Sequence, residues 1–336
     1  MKKKILLLGL LSLSSLILIY CLHTICLEQN LKVGNFDRHL VNAELKKVEE
    51  IILPIEVYSF AGFSDNSVFL TSKKLNEIVK YNFKTKKSII KKINHKNHNS
   101  NILGDSLFSF DPYFRKMYIY DANTLKFESE TNLNVGFDRA IAVTKDIVLL
   151  RSATEKYSKT ILSAFNVKTK SNSKLKIQLK DSLEVDGGLK TDGFFVSDNS
   201  SIIYTQYKKG NFYKINKALD EIKNFSTIDN IQNVEGVKMS SDSSYYYEKP
   251  VLNANLLTSI SKDKFYVVSF VKGNSDKLSE FTKYRILDVY NLKTGKYIES
   301  FYIPNKGTEK TSDFNVIDNK IYLLFNNSIM VYEFNK

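Results

Sequence analysis

"LDVYNLKTGKYIESFYIP" (residues 287–304) has the pattern of two β-strands joined by a tight turn. Apolar Leu287 and Val289 alternate with polar residues, as expected for a strand with one buried face. The stretch from Asn291 to Gly295 is rich in residues that favour turns, and glycine tolerates the positive φ that such turns require. Short alternating runs bounded by such residues are typical of an antiparallel hairpin.

The same layout recurs along the chain. Similar hairpins occupy residues 77–93, 116–133, 159–179, 211–228 and, as a first half only, 328–336. Most of them follow two further strand-like segments, such as 193–199 and 201–207. Four strands repeated at irregular spacing predict a β-propeller, and counting the hairpins gives six blades. The alternative is an open β-sandwich with irregular repeats.

The two ends of the repeat region predict how the ring closes. The last blade contains only three strands, and residues 45–54 form an orphan strand before the first blade. This strand can supply the missing outer strand and so remove an open sheet edge. The sequence therefore predicts one all-β domain over residues 45–336, a six-bladed β-propeller closed by an N-terminal strand.

The N-terminal segment predicts where the protein is located. Lysines at positions 2–4 precede an apolar run, residues 5–27, that is long enough to cross a bilayer. Positive charge before the span predicts that residues 1–4 are cytoplasmic and that the propeller lies on the extracytoplasmic, periplasmic side. No A-x-A-like site follows the run, so an uncleaved transmembrane signal-anchor is preferred. The alternatives are a secreted form after cleavage and a lipid anchor at Cys21. Residues 28–44 are interpreted as a tether.

The net charge of +13 does not indicate a nucleic-acid partner. Nearly all the basic residues are lysines scattered over predicted turns and outer strands, whereas a nucleic-acid protein clusters Arg and Lys on one face with interleaved aromatics. The densest run, residues 84–96, is interpreted as a solvated outer strand. Attraction to a membrane surface is the alternative.

Several known kinds of propeller chemistry are disfavoured. The chain has no Trp, which argues against WD-repeat, Asp-box sialidase and tryptophan-docked quinoprotein propellers. It has no G-x-S-x-G nucleophile elbow, and its propeller region has no cysteine. The histidines of "HKNH" (95–98) lack further metal ligands nearby and are interpreted as part of a solvated loop.

Six four-stranded blades behind an apolar leader resemble the TolB-like six-bladed propellers of exported bacterial proteins. The resemblance covers roughly residues 45–336. Three phrases, at 191–213, 287–304 and 312–334, are similar to an uncharacterised group of exported propellers common in flavobacteria and their relatives. The resemblance implies a fold and an exported location, but no mechanism.

A polar residue recurs where the innermost strand of each blade is expected to begin. These residues are Asp105, Asp138 (followed by Arg139), Asp192, Asn253 or Asn255, and Asp313. In a propeller the starts of the inner strands surround the mouth of the central channel, so the sequence predicts a partly acidic ring there. Convergent oxygens can hold Ca²⁺ or a basic ligand group. The alternative is that these side chains cap turns by accepting amide hydrogen bonds.

A second candidate surface is a long insertion between blades, residues 238–250. It contains three consecutive tyrosines, Tyr245, Tyr246 and Tyr247. Long loops in compact domains are often functional, and exposed tyrosine supplies contact area with a polar tip. The insertion is therefore a candidate partner loop. The alternative is that alternate tyrosines pack on the next blade.

These features favour a membrane-tethered, exported propeller that binds a small molecule or another exported protein. The alternative is a metal-dependent enzyme of the hydrolase or lactonase type, with its site at the channel mouth. Such an enzyme is expected to place a Glu among several Asn and Asp ligands, and the predicted ring contains no Glu. No cofactor is expected, with Ca²⁺ at the channel mouth as the alternative.

Overall fold

In the computed structural model, residues 13–19, 32–64, 66–154, 159–180, 184–242 and 244–335 are described. Six four-stranded antiparallel sheets are arranged around one axis. The inner strand of each sheet contacts the inner strands of the sheets before and after it, and the last inner strand contacts the first. The described chain is therefore a closed six-bladed β-propeller, which confirms the predicted fold.

The strands are numbered along the chain, and each blade is given from the inner strand outward. Before the first blade lie β1 (Lys32–Val33) and β2 (Glu44–Ile52). Blade 1 consists of β3 (Val57–Ser64), β4 (Ser67–Ser72), β5 (Glu77–Asn82) and β6 (Lys87–Lys92). Blade 2 consists of β7 (Asn99–Leu103), β8 (Ser106–Asp111), β9 (Lys116–Asp121) and β10 (Phe127–Asn132). Blade 3 consists of β11 (Phe137–Ala142), β12 (Ile147–Ala153), β13 (Thr160–Asn166) and β14 (Ser171–Lys174).

The second half of the ring carries the insertions. Blade 4 consists of β15 (Gly193–Ser197), β16 (Ser201–Gln206), β17 (Asn211–Asn216) and β18 (Ile222–Ser226), and a 3-10 turn (Leu189–Thr191) precedes it. A separate hairpin of β19 (Val237–Met239) and β20 (Tyr245–Tyr247) follows. Blade 5 consists of β21 (Asn255–Ser261), β22 (Lys264–Ser269), β24 (Arg285–Asn291) and β25 (Tyr297–Ile303), with β23 (Val271–Lys272) and a short helix (Leu278–Lys283) between its second and third strands. Blade 6 begins with β26 (Asp313–Ile317), β27 (Lys320–Phe325) and β28 (Ser328–Asn335).

One turn chemistry forms the outer hairpin of four blades. An Asn or Asp side chain accepts a hydrogen bond from the backbone N–H of a Thr three residues later, over 2.7–3.0 Å, in the pairs Asn82–Thr85, Asp121–Thr124, Asn166–Thr169 and Asn291–Thr294. The residue after each Thr has a positive φ, and only in blade 5 is that residue a glycine, Gly295. A turn of this kind sets the register of the two strands that it joins.

The N-terminal strand closes the ring. β2 pairs antiparallel with β28, from Glu44 opposite Asn335 to Ile52 opposite Ser328, and becomes the outer strand of blade 6. The predicted closing strand over residues 45–54 is therefore confirmed. Ile51 and Leu53 are buried against the side chains of blades 6 and 1.

Residues 32–43, which we call the strap, lie along blade 5. β1 pairs in parallel with β23, and further along the strap the Val41 N–H donates to Ser300 O over 2.8 Å. The side chain of Arg38, which belongs to the strap, is buried and forms ion pairs with Asp276 and Asp288 of blade 5. The described part of the predicted tether is thus packed on the propeller.

The predicted membrane span over residues 5–27 falls largely outside the described residues, as does Cys21. Of that span only 13–19 are described, and they are helical. Within the described ranges no helix is long and apolar enough to cross a membrane.

Candidate ligand-binding site at the channel mouth

The channel opens at one end into a wide cavity that we call the upper mouth. It has a volume of about 1470 Å³ and lies where the six inner strands begin. Its lining includes Tyr58, Phe60, Arg139, Phe194, Tyr207 and Asp313. A second cavity of about 960 Å³, the lower cavity, lies where the inner strands end. Both cavities are lined by Phe60, Ser100, Phe195 and Thr258, so they meet at this waist in the channel.

The structure brings three of the predicted charged residues to the upper mouth. Asp138, Arg139 and Asp313 line it, and Asp192 lies directly beside it, since its Oδ1 is 3.1 Å from a terminal nitrogen of Arg139. The predicted clustering of polar residues at the starts of the inner strands is therefore observed for blades 3, 4 and 6.

Asp105 does not belong to this group, so its predicted position is wrong. The inner strand of blade 2 is Asn99–Leu103, and Asp105 lies in the turn after that strand, where it lines the lower cavity. The prediction mistook the second strand, Ser106–Asp111, for the inner one. The polar composition of "NSNIL" (99–103) explains this error, because the segment lacks the apolar run expected of a buried strand.

The amide residues of blade 5 have a structural role. Asn255 begins β21 and is buried, and its Nδ2 donates to Gln206 O over 2.9 Å and to Lys209 O over 2.8 Å. Asn253 is half-buried in the loop that leads into the strand. Asn255 thus ties blade 5 to the loop after β16 of blade 4.

Two arginines compensate Asp138 and Asp192. Arg139 donates from Nε to Gly193 O over 2.6 Å and from a terminal nitrogen to Asp192. Arg151, which is buried, forms an ion pair with Asp138, and its Nη1 lies 3.7 Å from Asp192 Oδ1. Burial raises the pKa of Asp138, and the nearby Arg151 and Arg139 oppose that rise. This part of the ring is a network of two carboxylates and two guanidinium groups, in which Asp138 Oδ1 and Arg151 Nε have no hydrogen-bond partner among the described residues.

Asp313 has a different environment. Its Oδ2 accepts a hydrogen bond from the Phe60 N–H and its Oδ1 accepts one from the Phe314 N–H, both over 2.8 Å. Burial raises the pKa of its carboxyl group to about 7, although these two backbone donors oppose the rise. In the described part of the chain, no Lys, Arg or His side chain forms an ion pair with Asp313.

The rim of the upper mouth is aromatic, which sequence reasoning missed. Tyr113 is 82% exposed and Phe114 is 59% exposed, and their rings meet edge to face with centroids 4.9 Å apart. Tyr58 is 54% exposed, and deeper in the mouth the ring of Phe194 lies 5.0 Å from that of Tyr207. The signal in the sequence was "DPYFR" (111–115), in which two adjacent aromatics occupy a turn.

The interpretation of residues 95–98 as a solvated loop is wrong for His95. His95 is buried, and its ring stacks on Tyr118 with centroids 3.6 Å apart. Its Nε2 is 2.6 Å from Ser109 Oγ. Burial lowers the pKa of His95 to about 4, and the negative charge of Asp111 opposes this lowering.

His98 is exposed and lines the upper mouth. Among the described residues, no three His, Cys, Asp or Glu side chains form a group that could hold a metal ion.

The tyrosine-rich insertion forms the β19–β20 hairpin. The hydroxyl group of Tyr247 donates a hydrogen bond to Leu189 O over 2.6 Å. The ring of Tyr245 packs on Gly187, where a Cβ atom would lie only 2.8 Å from that ring. Tyr246, between them, is 47% exposed. The hairpin therefore packs beside the turn at Gly187 and Gly188, and the carbonyl group of Gly188 accepts a hydrogen bond from Arg151. One of the three tyrosines faces outward.

Comparison with known proteins supports the fold. No family model matches the chain, and no curated protein matches it. It is similar to a Bacteroides fragilis protein described as exported, with 11% identity, a TM-score of 0.56 and coverage of 91% of this chain and 99% of that one. It is also similar to a protein of unknown function from Bacteroides thetaiotaomicron, with 13% identity, a TM-score of 0.54 and coverage of 91% and 75%. BamB from Moraxella catarrhalis aligns at a TM-score of 0.45 with 11% identity, over 86% of this chain and all of that one. At these identities the two Bacteroides likenesses support the fold alone, and the resemblance to TolB-like propellers stays a prediction.

Proposed function

We propose that this protein is an exported binding module whose upper mouth receives an extended segment of another extracytoplasmic protein. The observation that carries the proposal is the exposed aromatic rim around a large depression. Aromatic residues are enriched at protein interfaces, and large exposed apolar groups are otherwise unfavourable in water. The cavity volume of about 1470 Å³ exceeds the range of roughly 300–1,000 Å³ that is usual for small-molecule sites. A polypeptide segment fits it better.

The extracytoplasmic location rests on the N-terminal sequence. Lysines followed by the apolar run at 5–27 favour export, with the run as a membrane anchor. The similarity to a protein described as exported is compatible with this location. A membrane-anchored propeller would present its mouth to partners in the same compartment.

A selection from a random peptide library on the full-length protein tests the proposed site. We expect the enriched peptides to lose at least about tenfold in affinity when Tyr113 and Phe114 are both replaced by serine, because such anchors typically contribute above 1 kcal/mol each. Ile89→Ser is the control, since Ile89 is an apolar residue that is 50% exposed on the outer strand of blade 1, away from the mouth. Failure to enrich any peptide, or equal binding to the rim variant and the control, would overturn the proposal.

A calcium titration tests the alternative of a metal-dependent hydrolase. Ca²⁺ takes six to eight oxygen ligands. At the upper mouth Asp138 and Asp192 are already bound by arginines, which leaves Asp313 with too few partners. We therefore expect calcium chloride at millimolar concentration to leave the melting temperature unchanged. A saturable rise that disappears in Asp313→Asn would instead favour the enzyme.

A further inference from the structure

The carboxyl group of Asp313 lies in the channel wall without a compensating cation. Asp313 is half-buried, and a carboxylate that is largely removed from water is normally paired with an opposite charge or bound to a metal, because its desolvation is costly. Two backbone N–H groups stabilise this one, and no side-chain cation among the described residues approaches it. A carboxyl group with this environment in a cavity is a functional-site candidate.

The other charged groups of the upper mouth are already bonded or exposed. Arg139 binds Asp192, and Arg151 binds Asp138. Lys73 lies 3.6 Å from Glu56 and also donates to Asn326. Asp111 is fully buried and its two oxygens accept from three backbone N–H groups, so it holds the turn that carries Tyr113 and Phe114. Lys96 and His98 are exposed at the rim.

We infer that the occupant of the upper mouth inserts a cationic group, the side chain of Lys or Arg or an amino terminus, that binds Asp313. This inference rests on the proposed function and names the chemistry of its ligand. The aromatic lining supports it, since Tyr58, Phe60 and Phe194 line the same cavity as Asp313 and the Phe60 N–H contacts its carboxylate. Aromatic rings attract ammonium and guanidinium groups through their negative faces. The cation would supply the opposite charge that the described residues do not provide to this carboxylate.

Binding of this kind has a defined pH dependence. The pKa of Asp313 in the free protein is about 7, so the carboxyl group is largely protonated at lower pH and must lose its proton to bind a cation. Affinity for a cation is therefore expected to rise with pH through this region and to level off above it. His98 is a second ionisable side chain that lines the mouth, so a variant without it serves as a control.

The probe is benzylammonium chloride, compared with benzyl alcohol as a neutral ligand with the same ring. Binding to the full-length protein is measured by ligand-observed NMR and calorimetry. At about pH 8.5 we expect benzylammonium to bind roughly tenfold more tightly than benzyl alcohol, and at about pH 5.5 we expect this preference to be largely lost. Asp313→Asn should abolish the preference. Asp105→Asn, which removes a carboxylate from the opposite end of the channel, and His98→Asn should both retain it.

The outcomes separate the inference from the proposed function. Equal binding of the two probes at high pH, or a preference that persists in Asp313→Asn, would overturn the inference. Peptides that depend on Tyr113 and Phe114 but carry no cationic group would also overturn it and leave the proposed function standing. If neither probe binds and no peptide is enriched, both fail. Should Asp313→Asn not fold, the pH dependence in the unaltered protein and in His98→Asn still decides the question.

Discussion

Replacing Arg38 with methionine is expected to lower the free energy of unfolding by about 3–5 kcal/mol, the usual cost of removing one partner from a buried ion pair. The Arg38 guanidinium is completely buried and donates to Asp288 over 2.8 Å, to Ser269 Oγ over 2.9 Å and to Val271 O over 2.9 Å, besides its contact with Asp276. Methionine fills most of the space of the side chain. It leaves two buried carboxylates without a cation.

Urea unfolding followed by circular dichroism measures this effect. Arg38→Lys is expected to recover only part of the stability, because an ammonium group cannot reproduce the fork of donors that reaches acceptors on four residues. Lys47→Met is the matched control, since Lys47 pairs with Glu50 at the surface and such pairs contribute little. An Arg38→Met protein as stable as the Lys47→Met protein would show that the ion pairs of Arg38 do not stabilise the propeller.

The Arg38 contact also bears on the proposed location. If residues 5–27 anchor the protein in a membrane, the strap is the segment through which the anchor joins the propeller. Arg38 bonds the strap to β24 and to the loop before the short helix of blade 5. The ring is then held close to its anchor, because only a few residues separate the strap from the apolar run.

The fold was predictable because its signals are local and repeated. Four outer hairpins carry the same turn chemistry, and strand alternation defines the buried face, so several weak signals support one architecture. The closing strand was predictable from the unequal strand count at the two ends. Blade 2 shows where prediction from local pattern fails. Its inner strand is a polar segment, and contacts with the neighbouring blades determine its place in the ring.

The charged part of the site was less predictable, because its partners are distant in sequence. Arg139 and Asp192 are separated by 53 positions, and no local pattern relates them. Arg151 lies inside an apolar strand, where only the register of β12 with β11 places it opposite Arg139. Residue spacing alone therefore could not predict which carboxylates pair with an arginine. Asp138 and Asp192 do, and Asp313 does not.

A chain that begins at residue 55, and so lacks β2, is expected to lose most of its cooperative stability. Removing β2 exposes the full length of β28 as an unpaired edge and takes Ile51 and Leu53 out of the core between blades 6 and 1. Burial of those two side chains alone contributes roughly 3–6 kcal/mol. That is comparable to the net stability of many domains, and the lost backbone hydrogen bonds add to it.

The matched control is a chain that begins at residue 44, which loses the strap but keeps β2. Thermal and urea unfolding of the two chains separate the contribution of the closing strand from that of Arg38. A synthetic peptide of residues 44–54 is expected to restore cooperative unfolding to the shorter chain in a concentration-dependent way, since an extended segment can add to a free sheet edge. A scrambled peptide should not. Equal stability of the two chains would contradict closure by β2, because the ring would then hold together without its outer strand.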